Sequence, residues 1–286
     1  MIVSVRAVIA TASLSLLLGA CRDPEGSSAA ASCKRGLAYQ YLAATDADAQ
    51  ADLAAIARGT TWGYNWRPQP EASVRTGYVD AGLEFAPMAW GADFTVDDMV
   101  AAIPDGSEML LAFNEPNFFA QANMSAQEAA SRWPELEMIA SMKGLRISSP
   151  AVNYCAGGCY DTDPFSYLDD FFAACTDCQV DVIAAHWYAC TGEALSNYLE
   201  GFAKYGRPIW LTEFSCGDGD DVSPATQLSY MRDAVEILEA DANVERYAWF
   251  SGRTTVLANV DILAGSGALT DLGEQYLSLP GDACAP

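Results

Sequence analysis

The chain has 286 residues, 51% of them hydrophobic, with 15 basic against 38 acidic side chains and a net charge of −23. That length permits one sizeable core, and α/β barrels of this size are commonly single domains. A uniformly acidic surface repels nucleic acid, anionic membrane surfaces and polyanionic polymers, so composition favours a neutral partner; the same charge keeps the protein soluble.

In chain order, residues 1–20 read as an export signal: Arg6 gives a basic start, and residues 7–20 form an apolar run too short to span a bilayer. The run ends in Leu18-Gly19-Ala20-Cys21, which resembles the lipobox of bacterial lipoproteins and implies an acylated Cys21 anchoring the protein to a membrane at the cell envelope. The other reading is a secretory signal cleaved near residues 29–31, with Cys21 lost. Residues 22–32 are small, polar and aperiodic, a flexible tether. The division is then signal 1–20, anchor and tether 21–33, and one folded domain over 34–286.

From residue 34 short apolar runs alternate with amphipathic stretches. Strands are expected at 36–41, 60–63, 83–87, 109–113, 145–148, 180–184, 208–211 and 246–250. Helices open on recognisable caps: Thr45, Thr95 with Asp98, Ser125 with Glu128, Asp163-Pro164 and Ser223-Pro224. Others are expected near 193–204 and 272–279. The connection after the second strand is weak, a turn around 70–76. Eight strands each trailed by a helix predict an α/β fold of the (β/α)8 TIM barrel type; a doubly wound open sheet competes less well without a Gly-rich phosphate turn after the first strand.

Nine cysteines leave eight once Cys21 is assigned to lipid, an even number that fits disulfides in an oxidising compartment. Nearness along the chain suggests Cys155 with Cys159, Cys175 with Cys178 and Cys190 with Cys216, leaving Cys33 with Cys284 to join the chain ends, although sequence does not fix connectivity. Zinc at Cys175-Thr176-Asp177-Cys178 is disfavoured, because there is no second such pair and His186 is the only histidine.

Barrel enzymes carry their chemistry just past the strands. Asn114-Glu115-Pro116-Asn117 follows the fourth strand and Thr212-Glu213-Phe214 the seventh, so two carboxylates meet at one mouth. Glycoside hydrolysis uses such a pair, one as proton donor and one as nucleophile or base. No Gly-x-Ser-x-Gly elbow supports a Ser-His-Asp hydrolase. Sugar C–H faces pack on aromatic rings, so Trp62, Tyr64, Asn65 and Trp66 after the second strand, Trp90 after the third and Trp249 on the eighth are groove candidates, whereas Trp133, Trp187 and Trp210 fall within core patterns.

The segments Thr61-Trp62-Gly63-Tyr64-Asn65-Trp66, Phe113-Asn114-Glu115-Pro116-Asn117, Ala185-His186-Trp187-Tyr188 and Trp210-Leu211-Thr212-Glu213-Phe214 resemble glycoside hydrolase family 128, a family of clan A retaining glycosidases, over 36–279. The resemblance implies a (β/α)8 barrel, a retaining mechanism on β-1,3-glucan, Glu115 as acid/base, Glu213 as nucleophile, and Asn114 on the sugar 2-hydroxyl. It adds Asn117, His186 and Tyr188 as site candidates, His186 either touching substrate or orienting Glu213. Residues 154–178 and 216–221 have no counterpart in that pattern. The reading needs no cofactor and expects a monomer. Its rivals are another clan A glycanase, on β-1,4-glucan or mannan, and a glycan-binding surface lipoprotein without turnover.

Overall fold

Along the chain run β1 (Arg35–Ala38), α1 (Asp46–Ile56), β2 (Trp62–Tyr64), α2 (Arg75–Asp80), β3 (Glu84–Phe85), α3 (Val96–Ala102), β4 (Met109–Leu110) and α4 (Ala126–Lys143). There follow β5 (Arg146–Ile147), α5 (Pro164–Ala174), β6 (Ile183–Trp187), α6 (Gly192–Gly201), β7 (Ile209–Phe214), α7 (Pro224–Ala240), β8 (Val244–Phe250), a hairpin of β9 (Leu263–Gly265) and β10 (Ala268–Leu269), and α8 (Asp271–Ser278). This computed structural model describes residues 32–42 and 45–282; the expected signal, Cys21, most of the tether and Cys284 lie outside the described residues.

The caps act where the sequence places them. Thr45, Thr95, Ser125, Asp163 and Ser223 each accept a backbone N–H of the following helix, and Ser125 with Glu128 closes a full capping box. α2 is the exception: a turn is expected at 70–76, but a short helix begins at Arg75 behind Val74, which makes no side-chain cap bond. Gly77 lets this helix lie close on α1, because a Cβ there would meet Gln50 and Leu53 at 2.6 and 2.7 Å.

The fold is a mixed α/β domain with parallel strands. Six pair in the order β3-β2-β1-β8-β7-β6, and β4 pairs with β5. Isolated parallel bridges join Met88 to Leu111, Ser148 to Val182 and Val152 to Ala185. Side chains alternate between faces. One face packs on the helices in the large core of Leu37, Leu211, Phe214, Trp249 and their neighbours. The other carries a second cluster from seven of the eight strand regions: Ala38, Trp62, Tyr64, Ala86, Met88, Met109, Leu111, Val182, Trp210 and Ala248.

One irregularity in β7 decides the site. Ile209 and Leu211 face the helices, and strict alternation would send Glu213 the same way. The register against β6 and β8 slips at Thr212, so that His186 pairs with Glu213 and Phe214 returns to the helix-side core beside Trp249. This bulge turns Glu213 to the strand-lined face.

Disulfides join Cys155–Cys159, Cys175–Cys178 and Cys190–Cys216. Cys33 is also disulfide-bonded. The Cys190–Cys216 bond closes 26 residues between the ends of β6 and β7, and a loop of that size is stabilised by about 3 kcal/mol. A Cys190→Ser/Cys216→Ser variant should therefore melt roughly 6 to 12 °C lower, and calorimetry in non-reducing buffer checks it. Next to it around the mouth, Arg253 grips Asp52 with bonds of 2.6 and 2.9 Å and donates to Tyr39 at 2.9 Å, tying the loop after β8 to α1.

Candidate active site

Glu115 and Glu213 meet at the C-terminal ends of β4 and β7, both nearly buried, and one oxygen of each lies within 4.8 Å of the other and of a His186 ring nitrogen. Glu213 Oε1 accepts from Trp66 Nε1 at 2.7 Å and from Tyr64 Oη at 3.1 Å, and Oε2 accepts from Tyr188 Oη. Burial, and then the charge of Glu213, push the Tyr64 and Tyr188 phenols well above their ordinary range, so both stay protonated and donate. Such a ring of fixed donors stabilises a carboxylate anion.

Glu115 is held differently. Asn153 Nδ2 donates to Oε1 at 3.1 Å, and His186 Nδ1 lies 2.9 Å from the same oxygen. The described bonds thus converge on Oε1. Its backbone is in the left-handed region at φ 40°, as is that of Trp66 at φ 60°. Such conformations cost about 1–3 kcal/mol each and persist where the surroundings enforce them. Here the N–H of Glu115 is tied to Ala151 O at 2.8 Å, and its carbonyl accepts from Phe118 N at 2.9 Å.

His186 is fully buried between the acids, with Nδ1 3.4 Å from Glu213 Oε2 as well. Burial pushes its pKa down, but the charge of Glu213 and the bond to Glu115 outweigh that and raise it above the usual 6.5. Stability from this contact is fully present below about pH 6.5 and is lost as pH rises through the higher folded pKa. The melting-temperature advantage of the wild type over His186→Gln should accordingly shrink from pH 6 to pH 9; an advantage independent of pH would exclude the charged contact. Glu115, His186 and Glu213 also form a group, among the described residues, whose ligand atoms could converge on a metal ion. The 2.9 Å and 3.4 Å contacts of Nδ1 are hydrogen-bond and ion-pair spacings that a proton satisfies.

The two acids open into a cleft of about 780 Å³. Of the expected groove residues, Asn114, Trp66, Trp90 and Tyr188 line it. Asn114 donates to Gln121 Oε1 at 3.4 Å, while its Oδ1 is buried without a partner, an acceptor available to a sugar hydroxyl. Tyr64 and His186 act from behind Glu213 and Glu115. Four expectations need correction. Trp62 is buried against Trp210, with Nε1 on Lys34 O at 3.0 Å. Trp249 points to the helices and donates to Val260 O at 2.9 Å, and its neighbour Phe250 takes the place at the mouth. Asn65 is buried and shapes its own loop through Gln69 O and Arg67 N, and Asn117 pins the loop after β5 through Asn153 O at 2.9 Å and Asp161 O at 3.2 Å. Trp133, Trp187 and Trp210 are core residues. Cys175 and Cys178 are joined to each other rather than arranged as metal ligands.

The sequence reading did not single out Asn153, Gln121, Tyr39, Tyr154 or Phe250. Asn153 and Tyr154 stand just past the fifth strand and Phe250 ends the eighth, positions that inspection at each strand end would have found; Tyr39 falls inside the expected first strand, and Gln121 carries no local signal.

Two buried acids lining one cleft, one of them ringed by donors, are the arrangement that glycoside hydrolysis requires. Residues 36–276 match the family described as "Glycosyl hydrolase catalytic core". A GH128 (subgroup II) endo-β-1,3-glucanase from Sorangium cellulosum superposes with a TM-score of 0.82 at 41% identity, covering 88% of this chain and 100% of that one. A GH128 (subgroup I) endo-β-1,3-glucanase from Amycolatopsis mediterranei, in complex with laminaritriose, gives 0.68 at 31% identity over 85% and 98%. "Alkali-sensitive linkage protein 1" of Schizosaccharomyces pombe is 31% identical over 253 residues, 86% of this chain but 44% of that protein, so the chain spans less than half of that relative's length. The chain belongs to the glycosyl hydrolase catalytic core family and, within it, to family 128.

Proposed function

We propose that this enzyme is a retaining endo-β-1,3-glucanase, and the spacing of its acids carries the reading. Retaining enzymes place the two carboxyl groups about 5–5.5 Å apart, whereas inverting ones leave roughly 6.5–9.5 Å for a water. One oxygen of each acid lies within 4.8 Å of the other, and both share the His186 imidazole, an approach that supports the closer spacing. In the first step Glu213 attacks the anomeric carbon, the glycosidic C–O bond breaks, and the Glu115 proton passes to the departing oxygen. In the second, Glu115 takes a proton from water, the resulting hydroxide attacks the anomeric carbon, and Glu213 leaves as carboxylate.

The linkage is supported by the endo-β-1,3-glucanases among the relatives. A closed (β/α)8 barrel is supported by the bridges between β3 and β4 and between β5 and β6, and by the cluster on the strand-lined face. Anchoring to a membrane through Cys21 rests on the lipobox sequence. The test is reducing-end release on β-1,3-glucan beside β-1,4-glucan and mannan, with the first-formed anomer read by NMR. Release from β-1,3-glucan alone, with the β-anomer first, is the expected result. An α-anomer first would overturn retention, and preference for another polymer would overturn the linkage.

A further inference from the structure

The aromatic wall of the cleft has a second side. Trp66 and Trp90 also line a second cavity of about 830 Å³ on the side of β3 and α3, whose walls include Gln69, Asp93, Phe94, Met99 and Ala122. The two spaces are neighbours across two indoles, one of which, Trp66, holds Glu213 through its N–H. Trp90 is 39% exposed, an uncovered aromatic face at the junction.

The lining says what can occupy it. Phe94, Met99 and Ala122 give an apolar wall for C–H faces, and Gln69, Asp93 and Asp98 give hydroxyl partners. Acidic side chains stand in its wall, and the protein carries −23 overall, which excludes an anionic occupant. A neutral polyol suits both kinds of wall, and the two indoles shared with the cleft make a further stretch of a glucan chain lying in that cleft the occupant that fits. We propose that the cavity is a remote subsite for the β-1,3-linked glucosyl units that continue past Trp90 from the bond being cleaved. The inference rests on the glucanase reading and deepens it: contacts here favour long chains over short ones by binding energy away from the reacting bond.

Two variants test it. Ala122→Trp fills the cavity while leaving the backbone bond from Ala122 N to Asn114 O in place, and Asp93→Ala removes an exposed hydroxyl acceptor. For each, kcat/KM on long β-1,3-gluco-oligosaccharides should fall, by about tenfold for Ala122→Trp and by about threefold for Asp93→Ala. kcat/KM on the shortest oligosaccharide that is cleaved should stay within about twofold of wild type. Equal losses on short and long substrates, or no loss on either, would overturn the subsite. A wild type inert on β-1,3-glucan is a different failure, that of the glucanase reading itself.

Discussion

Glu213→Gln should lower kcat by roughly 10⁴-fold or more while oligosaccharide affinity stays within a few-fold. The amide is nearly isosteric, and its oxygen can keep the bonds from Tyr64 and Trp66. The amide nitrogen faces Tyr188, whose hydroxyl can reverse and accept. What disappears is the anion that forms the covalent bond, so binding survives and chemistry does not. A second reading comes from His186. With the charge of Glu213 removed, one of the influences holding its pKa up is gone, and the imidazole should titrate lower in the variant. NMR titration of this sole histidine and single-turnover kinetics read the two effects separately. Turnover near that of the wild type would remove Glu213 from the mechanism.

The legible part of this protein was local. Thr45, Thr95, Ser125, Asp163 and Ser223 announce helices because a cap needs only a short polar side chain and the next few residues. Both glutamates could be found because each follows an apolar strand that ends at one mouth. The expected strands end at 184 and 211, because polar residues at the end of an apolar run resemble the start of a loop. In fact β6 runs through His186 to Trp187, and β7 through Glu213 to Phe214. The bulge at Thr212 that aims Glu213 depends on pairing with both neighbours and has no signal in its own segment.

Depth was equally hidden. Trp62, Tyr64 and Trp66 follow a period of two and so suggest one face, but successive same-face positions on a strand are separated by roughly 6–7 Å. Trp62 is therefore core, Tyr64 touches Glu213 from behind, and Trp66, past the strand end, reaches the cleft. On β8 the groove residue is Phe250 rather than the expected Trp249, a difference of one residue, which is enough to exchange the two sides of a strand.

Removing the other acid should have a different signature. Glu115→Ala is expected to slow hydrolysis of a natural glucan by roughly 10²–10⁴-fold, the usual worth of a positioned proton donor. The loss should be far smaller on an aryl glycoside, whose leaving group departs without a proton. Glu213 keeps its bonds from Tyr64, Trp66 and Tyr188, so the covalent intermediate still forms on that substrate. It then waits for a water that no base activates. Azide, an anion that attacks without losing a proton, should restore turnover and yield a glycosyl azide of retained configuration. Glu115→Gln controls for folding, because its amide oxygen can still accept from Asn153 at a position whose left-handed backbone every variant must adopt. Equal losses on glucan and aryl glycoside, with no response to azide, would show that Glu115 supports the site's architecture rather than its proton transfer.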